Sequence, residues 1–374
     1  MVKKALRLLS ILAVAVYSLW IGIQVAGARR LVLPDEGNDP REVLGVYHVH
    51  TKFSDGRRSL QSVAAAAAGQ GLDFVILADH GNPNRRALAA QGWTEGVLVL
   101  SGSELSVSRG HLVALDIGAD SGPFSQNAET AEAEIRAAGG FSVVAHPYSR
   151  VAWSWGLPAG YSGLEIISAY STLKERTWCL FPYWPCLLLK PSLILQKMLG
   201  RPENNLRKWD EMSRTAAVYG YFSVDAHLLY KSLFGFLRLH ALLDEPLSPL
   251  PNSARRQVFE ALRRGRFYNS VSAAAQANGF RFWAFVGGET APMGSVLSYR
   301  PGLTLRVEAP FPYRKSVVLI EDGRPILRSA EETLNHPVRG PAVYRVEVYL
   351  EGRTPLPEGV PWIVSNPIFV RGKE

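Results

Sequence analysis

The chain has 374 residues and a mass of 41.2 kDa, enough to bury a substantial core and, by length, to form about two domains. Its 47% apolar and 20% charged residues are those of an ordinary folded protein, which excludes wholesale disorder and a multi-span membrane protein. The formal charge of +8 is scattered, which suits an anionic substrate or membrane surface; no basic run interleaved with aromatics points to nucleic acid.

Lys3, Lys4 and Arg7 precede a run from Leu8 to Ala28 that carries no charge. Such a run, at about 20 residues, can cross a bilayer as a helix, with the basic residues holding its start on the cytoplasmic side. Ala26-Gly27-Ala28 also fits the small-x-small pattern of a signal-peptide cleavage site. A membrane anchor and a removed signal peptide both remain open, and both place the rest of the chain outside the cytoplasm, periplasmic or extracellular. A buried core helix is the third reading.

From residue 45 to about 227, short apolar runs alternate with helical patterns. The runs are GVYHVH, DFVILADH, GVLVLSGSE, GHLVALDI, FSVVAHPY, GLEIIS and YFSVDAH. Nearly continuous apolarity predicts parallel strands covered on both faces. Ser59–Gly71 and Asn127–Gly140 read as helices with glycine stops, and a further helix is expected at Asn252–Phe267. This alternation predicts an α/β barrel or a doubly wound sheet.

Residues 178–200, WCLFPYWPCLLLKPSLILQKMLG, are very apolar, but Pro182, Pro185 and Pro191 argue against a membrane-spanning helix. They read as an insertion packed on the barrel, or as a lid or bilayer-contacting loop near its mouth. Cys179 and Cys186 lie within this segment; they can pair in an exported chain or stand as two buried thiols. From Ser295 onward, alternating strands separated by Pro/Gly turns predict a small β-sandwich. The expected organisation is a membrane segment at 1–30, a catalytic domain at 40–290 with an insertion at about 170–212, and a sandwich at 295–374.

Eight histidines occur, and six lie in or just after the strand-like runs: His48, His50, His80, His111, His146 and His227. His240 and His336 have no comparable neighbours. The C-terminal ends of parallel strands converge on one mouth, where sites are built. Asp55, Glu104 and Asp225 accompany the six imidazoles, a mixed donor set that suits borderline ions. His48 and His50 are two residues apart and project from one face of an extended strand, and Asp225 and His227 repeat that spacing. The set exceeds what one ion takes and suits two or three.

The series HVH (48–50), SDG (54–56), ADHG (78–81), SELS (103–106), GHLVAL (110–115), AHP (145–147) and DAH (225–227) resembles the polymerase and histidinol phosphatase (PHP) superfamily. Within it, the carbaryl-hydrolase-like metallohydrolases are the most similar branch. The resemblance implies a distorted (β/α)7 barrel followed by a β-sandwich, with a trinuclear site of Zn, Mn or Fe. By that likeness His48, His50, Glu104 and Asp225 hold one ion, and Glu104 bridges to a second completed by His111 and His146. Asp55, His80 and His227 hold the third. Glu104, Asp225 and His227 are the expected catalytic residues. Ala78 stands where the family often has threonine, which leaves Asp79 as either an imidazole partner or a strand terminus.

Three divalent ions carry more charge than three carboxylates return, so the expected substrate is an anionic phosphate mono- or diester, as a small molecule or a lipid-like one. A metal-acidified water would attack phosphorus. Arg109 and Arg150 are candidate anion clamps, beside solvated-loop readings of equal weight; Lys52, Arg57 and Arg58 are weaker. Two alternatives stand: hydrolysis of carboxyl, carbamate or amide bonds by the same activated water, and a non-catalytic metal-binding module. No Gly-rich phosphate loop or Gly-x-Ser-x-Gly elbow is present.

Overall fold

The structure is a computed structural model that describes residues 2–28, 30–33, 39–108, 110–148, 160–176, 181–352, 354 and 356–372. A 26-residue helix, α1 (Val2–Gly27), comes first. The strands between residues 40 and 272 are β1 (Glu42–Val49), β2 (Phe74–Leu77), β3 (Gly92–Thr94), β4 (Val97–Ser101), β5 (Ser103–Val107), β6 (Gly110–Leu115), β7 (Phe141–Ala145), β8 (Gly163–Ser168), β9 (Tyr219–Ser223), β10 (Arg238–Leu242) and β11 (Phe267–Ser270).

They are divided between two sheets. One runs β3-β4-β2-β1-β10-β11 and the other β5-β6-β7-β8-β9. The sheets meet at two single-pair bridges, Val49 with Ala226 and His80 with Glu104. Between them lies a shared core in which Tyr47, Ile76, Leu98 and Leu100 join Val113, Val143 and Tyr221. The seven-stranded barrel expected from the sequence is thus represented by two linked sheets, with no closed ladder among the described residues.

The sheets are also mixed rather than parallel. β1–β2, β2–β4, β7–β8 and β8–β9 are parallel, whereas β6 is antiparallel to both β5 and β7. Only two residues separate β5 from β6, and so short a connection can join antiparallel strands only.

The expected helices form at Leu60–Ala68, Ala128–Ala137 and Pro251–Arg263. Ser59 and Asn127 cap the first two by accepting from the backbone N–H of Ser62 and Thr130. Gly71 and Gly139 follow with φ of 65° and 83°, the left-handed conformation that ends a helix without a Cβ penalty.

The remaining strands are β12 (Arg281–Val286), β13 (Glu289–Pro292), β14 (Val296–Ser298), β15 (Thr304–Glu308), β16 (Lys315–Glu321), β17 (Arg324–Ser329), β18 (Thr333–Pro337), β19 (Ala342–Leu350), β20 (Ile363–Ser365) and β21 (Ile368–Arg371). β13-β12-β15-β18 form a four-stranded antiparallel sheet that begins before residue 295. β16, β17, β19, β20, β21 and β14 instead extend the first of the two sheets, through pairing of β20 with β11. Phe282, Ala284, Leu305 and Val307 of the four-stranded sheet share a core with Val317, Leu319, Val346 and Val348. The sheet continuity ties the C-terminal strands to the strands that carry the site.

At the junction of β1, β10 and β11, Glu42 accepts from Tyr268 Oη (2.5 Å) and Arg281 (2.6 Å) and pairs with His240 Nδ1 (2.9 Å). His240 Nε2 in turn lies 2.9 Å from Ser270 Oγ. This chain of atoms has the order of a hydrolytic triad, but Glu42, His240 and Ser270 are all buried. It works as a polar tie between three strands. Despite burial, His240 and Arg281 hold the Glu42 carboxyl down at about 2.

Candidate metal centre

β1 ends in the first site residues, and it ends with a bulge. His48 has φ of 70° and the pairing of β1 with β2 shifts register between Tyr47 and Val49. A left-handed non-glycine residue costs about 1–2 kcal/mol and marks a backbone held by its surroundings. His146 and Asp225 also have positive φ, 28° and 45°. His48 and His50 therefore do not converge as alternate residues of an extended strand, nor do Asp225 and His227. The bulge turns His48 so that its Nε2 lies 3.1 Å from His50 Nε2.

Glu104, on β5, is the hub. One carboxylate oxygen, Oε2, lies 3.2 Å from His48 Nε2, 3.3 Å from His50 Nε2 and 3.4 Å from His80 Nδ1. The other, Oε1, lies 3.0 Å from His146 Nε2 and 3.5 Å from His111 Nδ1. Asp225 Oδ1 is 3.4 Å from His50 Nε2 and 3.5 Å from His227 Nδ1. Asp55 Oδ2 is 3.1 Å from His227 Nε2 and 3.8 Å from His80 Nε2. The structure thus gathers all nine sequence-derived ligand candidates. The ligand atoms of eight of them form three overlapping groups: His48, His50 and Glu104; Glu104, His111 and His146; and His50, Asp55, His80 and His227. Asp225, expected on the first ion, stands outside these groups and reaches the cluster through His50 and His227. His50 and Glu104 are the shared members. The floor of the cluster is buried at His48 and His50, and its rim opens at Asp55 and His80, with 55% and 37% of their side chains exposed.

Arg109 and Arg150 lie outside the described residues, as does Cys179, so neither the anion clamps nor a Cys179–Cys186 bond is placed. Cys186 is buried.

One important residue escaped the sequence reading. Glu165 on β8 is fully buried and sits 2.5 Å from His48 Nδ1, while its other oxygen accepts the backbone N–H of His146 at 2.9 Å. A carboxylate on Nδ1 fixes the tautomer that leaves Nε2 unprotonated toward the cluster. The signal was a lone glutamate in the apolar run GLEIIS, a residue type almost never fully buried without a partner.

Asp79 is neither an imidazole partner nor a simple strand end. It accepts from Thr51 N (2.7 Å), Thr51 Oγ1 (2.8 Å) and Ser54 Oγ (2.6 Å), and so braces the loop that presents Asp55. Gly56 lets that loop fold back: a Cβ there would stand 2.3 Å from the His50 carbonyl oxygen. The Tyr230 hydroxyl lies 2.8 and 2.9 Å from the carbonyl oxygens of His50 and His227, joining the first and last site segments.

Charge and protonation show what the cluster lacks. Burial works against a charged imidazole, yet the carboxylates of Glu165, Glu104 and Asp225 push His48 well above the ordinary histidine value. His50, likewise opposed by burial but facing Asp225 and Glu104, is pushed up to about 9. Glu104 and Asp225, although buried, are held well below the usual carboxylate range by these histidines. Burial pushes His111 and His227 down. The buried Nδ1 of His50 makes no hydrogen bond. Opposed imidazole nitrogens 3.1 Å apart and a buried ring nitrogen without a hydrogen bond leave donor atoms that a bound cation satisfies. A mixed imidazole–carboxylate donor set of this kind fits divalent ions of the zinc, manganese or iron type.

No family model matches the chain, and no curated protein matches it. Solved structures do. A two-domain protein from Bacteroides vulgatus containing a predicted PHP-like metal-dependent phosphoesterase aligns over 90% of this chain and 99% of its own, at 16% identity and a TM-score of 0.45. An amidohydrolase from Chromobacterium violaceum, with bound sulfate and no metal, covers 49% of this chain and 87% of its own, at 17% identity and a TM-score of 0.32. A protein from Bifidobacterium adolescentis, named as a candidate metal-dependent phosphoesterase, covers 58% of this chain and 96% of its own, at 14% identity and a TM-score of 0.32.

Proposed function

We propose that this chain is a metal-dependent phosphoesterase of the PHP superfamily, related to its carbaryl-hydrolase-like branch and anchored by α1 with the catalytic part outside the cytoplasm. The observation that carries the reading is one cluster of six imidazoles and three carboxylates in which Glu104 and His50 are the shared members. The ion partition is the one the family resemblance implies: His48, His50, Glu104 and Asp225; Glu104, His111 and His146; Asp55, His80 and His227. The proximity of His50 Nδ1 to Asp55 (3.5 Å) adds a link between the first and third groups.

Bound divalent ions supply a water acidified to near neutral pH and positive charge for the phosphate oxygens. The chain's own residues do the rest. Glu165 holds His48 in the ligating tautomer, and Asp79 and Tyr230 hold the loops of Asp55 and His227. Asp225 and His227, with Oδ1 and Nδ1 3.5 Å apart, are the candidate proton-handling pair. Three divalent ions would outweigh Asp55, Glu104, Asp225 and Glu165 together, which favours an anionic phosphate ester over a neutral carbonyl substrate. Arg109 and Arg150 keep their sequence-based assignment as phosphate clamps.

The test is hydrolysis of p-nitrophenyl phosphate, bis-p-nitrophenyl phosphate and a naphthyl ester by the metal-loaded protein. Turnover of the phosphates, lost in His48→Ala and Asp225→Ala, supports the reading. Preferential turnover of the naphthyl ester replaces it with carbonyl hydrolysis, and activity that survives both substitutions rejects a role for this centre.

A further inference from the structure

The apolar segment after residue 180 lies against α1. Tyr17 Oη donates to the Pro182 carbonyl at 3.0 Å, and the Trp20 and Tyr183 rings are 5.1 Å apart. Lys190 Nζ donates to the Ala28 carbonyl. Ile21 and Ala28 are buried in one cluster with Cys186, Leu193, Ile194 and Met198. Cleavage after Ala28 would strip that cover from four apolar side chains, so the packing favours α1 as a retained part of the protein. On the other side, Phe181, Trp184, Leu188 and Leu189 are 82%, 63%, 92% and 65% exposed. α1 itself presents Ile11, Leu12, Val14, Val16 and Leu19 to the outside. Large apolar side chains concentrated in this way mark an interaction surface.

The geometry identifies the occupant. A helix of this length is about 39 Å long, more than the ~30 Å of a hydrocarbon core, and its basic residues lie at the start. Lys190 meets α1 at its last carbonyls, where an ammonium remains at the water boundary. Pro182 meets it at Tyr17, about 16 Å deeper along the helix axis. The segment therefore descends beside the second half of α1 into the same apolar medium, with Tyr17, Trp20, Tyr183 and Trp184 grouped along the descent.

The segment is coupled to the metal centre through the helix Ala169–Arg176. Leu173 of that helix packs against both the α1-facing cluster and the main core. Tyr170, one turn earlier, stacks on the His227 ring at 4.9 Å. Ser171 and Thr172 of the same helix line a cavity of about 340 Å³ with His146, Ser168, Asn204 and Asn205. Apolar bilayer contact, a metal ligand and a polar cavity thus meet on a single short helix.

We propose that residues 181–198 form a wedge in the outer half of the bilayer beside α1, and that the phosphate ester served by the metal centre belongs to a membrane-borne amphiphile whose polar group enters the His146 cavity. The substrate half of this proposal rests on the phosphoesterase reading; the wedge does not.

The full chain is reconstituted in phosphatidylcholine–phosphatidylglycerol vesicles with acyl-chain-brominated lipid, and its tryptophan fluorescence is compared with that of Trp184→Phe. The difference signal is expected to be quenched by bromine and shielded from aqueous iodide; the reverse pattern overturns the wedge. Activity is then compared on vesicle-borne dodecyl p-nitrophenyl phosphate and soluble methyl p-nitrophenyl phosphate, which share a leaving group. Wild type should prefer the dodecyl ester at least tenfold in kcat/KM. The variant F181S/W184S/L188S/L189S should lose that preference while keeping its methyl-ester rate within twofold. Equal rates on the two esters in wild type, or a preference unchanged in the variant, overturn the amphiphile assignment. A wild type that hydrolyses p-nitrophenyl phosphate but neither ester overturns the amphiphile assignment alone; one that hydrolyses none of the three ends the phosphoesterase reading and the substrate class with it, and the quenching result still decides the wedge.

Discussion

Glu165 and His48 form a wholly buried pair, with 2.5 Å between the carboxylate oxygen and Nδ1, beneath the centre at which the other ring nitrogen points. Glu165→Gln should preserve the shape but weaken the imidazole as a ligand. Metal affinity should fall by about 10–100-fold, the usual effect of removing a carboxylate behind a ligating histidine. Competitive titration against a chromogenic chelator measures this; an unchanged affinity would assign Glu165 to folding alone.

The brace of Asp79 on the Asp55 loop makes a different prediction. Asp79→Ala leaves Thr51 N–H and two hydroxyls without their acceptor, at a cost of about 1–3 kcal/mol. The most weakly held ion should be lost first, because Asp55 is the most exposed ligand on the rim. Denaturant unfolding and metal counting on the same sample test both parts. Full occupancy despite lost stability would show that Asp55 is positioned without Asp79.

Protonation gives a pH signature with opposite signs in the two forms of the protein. His50 sits at about 9 in the folded side-chain cluster against about 6.5 unfolded. In chelator-treated protein its contribution is complete below pH ~6.5 and lost as pH rises through about 9. His48, also raised, acts in the same direction. Metal binding needs these rings deprotonated, so affinity should climb across the same interval. Thermal melts from pH 6 to 9.5, with and without chelator, should therefore diverge as pH rises; parallel curves would exclude His48 and His50 as ligands.

The buried Glu42–His240–Ser270 chain should matter for folding and not for chemistry. Glu42→Gln removes the charge that His240 and Arg281 face, although Arg281 keeps Asp39 at 3.1 Å, and should cost about 1–3 kcal/mol. Ser270→Ala should leave phosphoester turnover unchanged. A large loss of kcat in folded Ser270→Ala protein would reopen a serine-based mechanism.

The cluster of candidate ligands was legible because six histidines mark strand ends, a pattern that survives without knowing how the strands pair. The basis for their convergence was not. His48 reaches His50 through a bulge and a left-handed residue, and neither leaves a mark in the string YHVH. Glu165 was hidden for a related reason: its partners, His48 and His146, are brought to it only by the pairing of strands distant in sequence. His240 stood outside the motif series in the sequence, yet folding sets it beside Glu42. The division into two mixed sheets depends on the two-residue β5–β6 connection, which continuous apolarity does not reveal. The C-terminal strands were recognisable by alternation, but their extension of the catalytic sheet rests on backbone pairing of β11 with β20.

The most direct test is the metal content of the purified full chain, measured by elemental analysis for wild type and Glu104→Gln. A Glu104-bridged centre predicts two or three divalent ions per wild-type chain and the loss of more than one in the variant. At most one ion in wild type, or full occupancy without the Glu104 carboxylate, would contradict it.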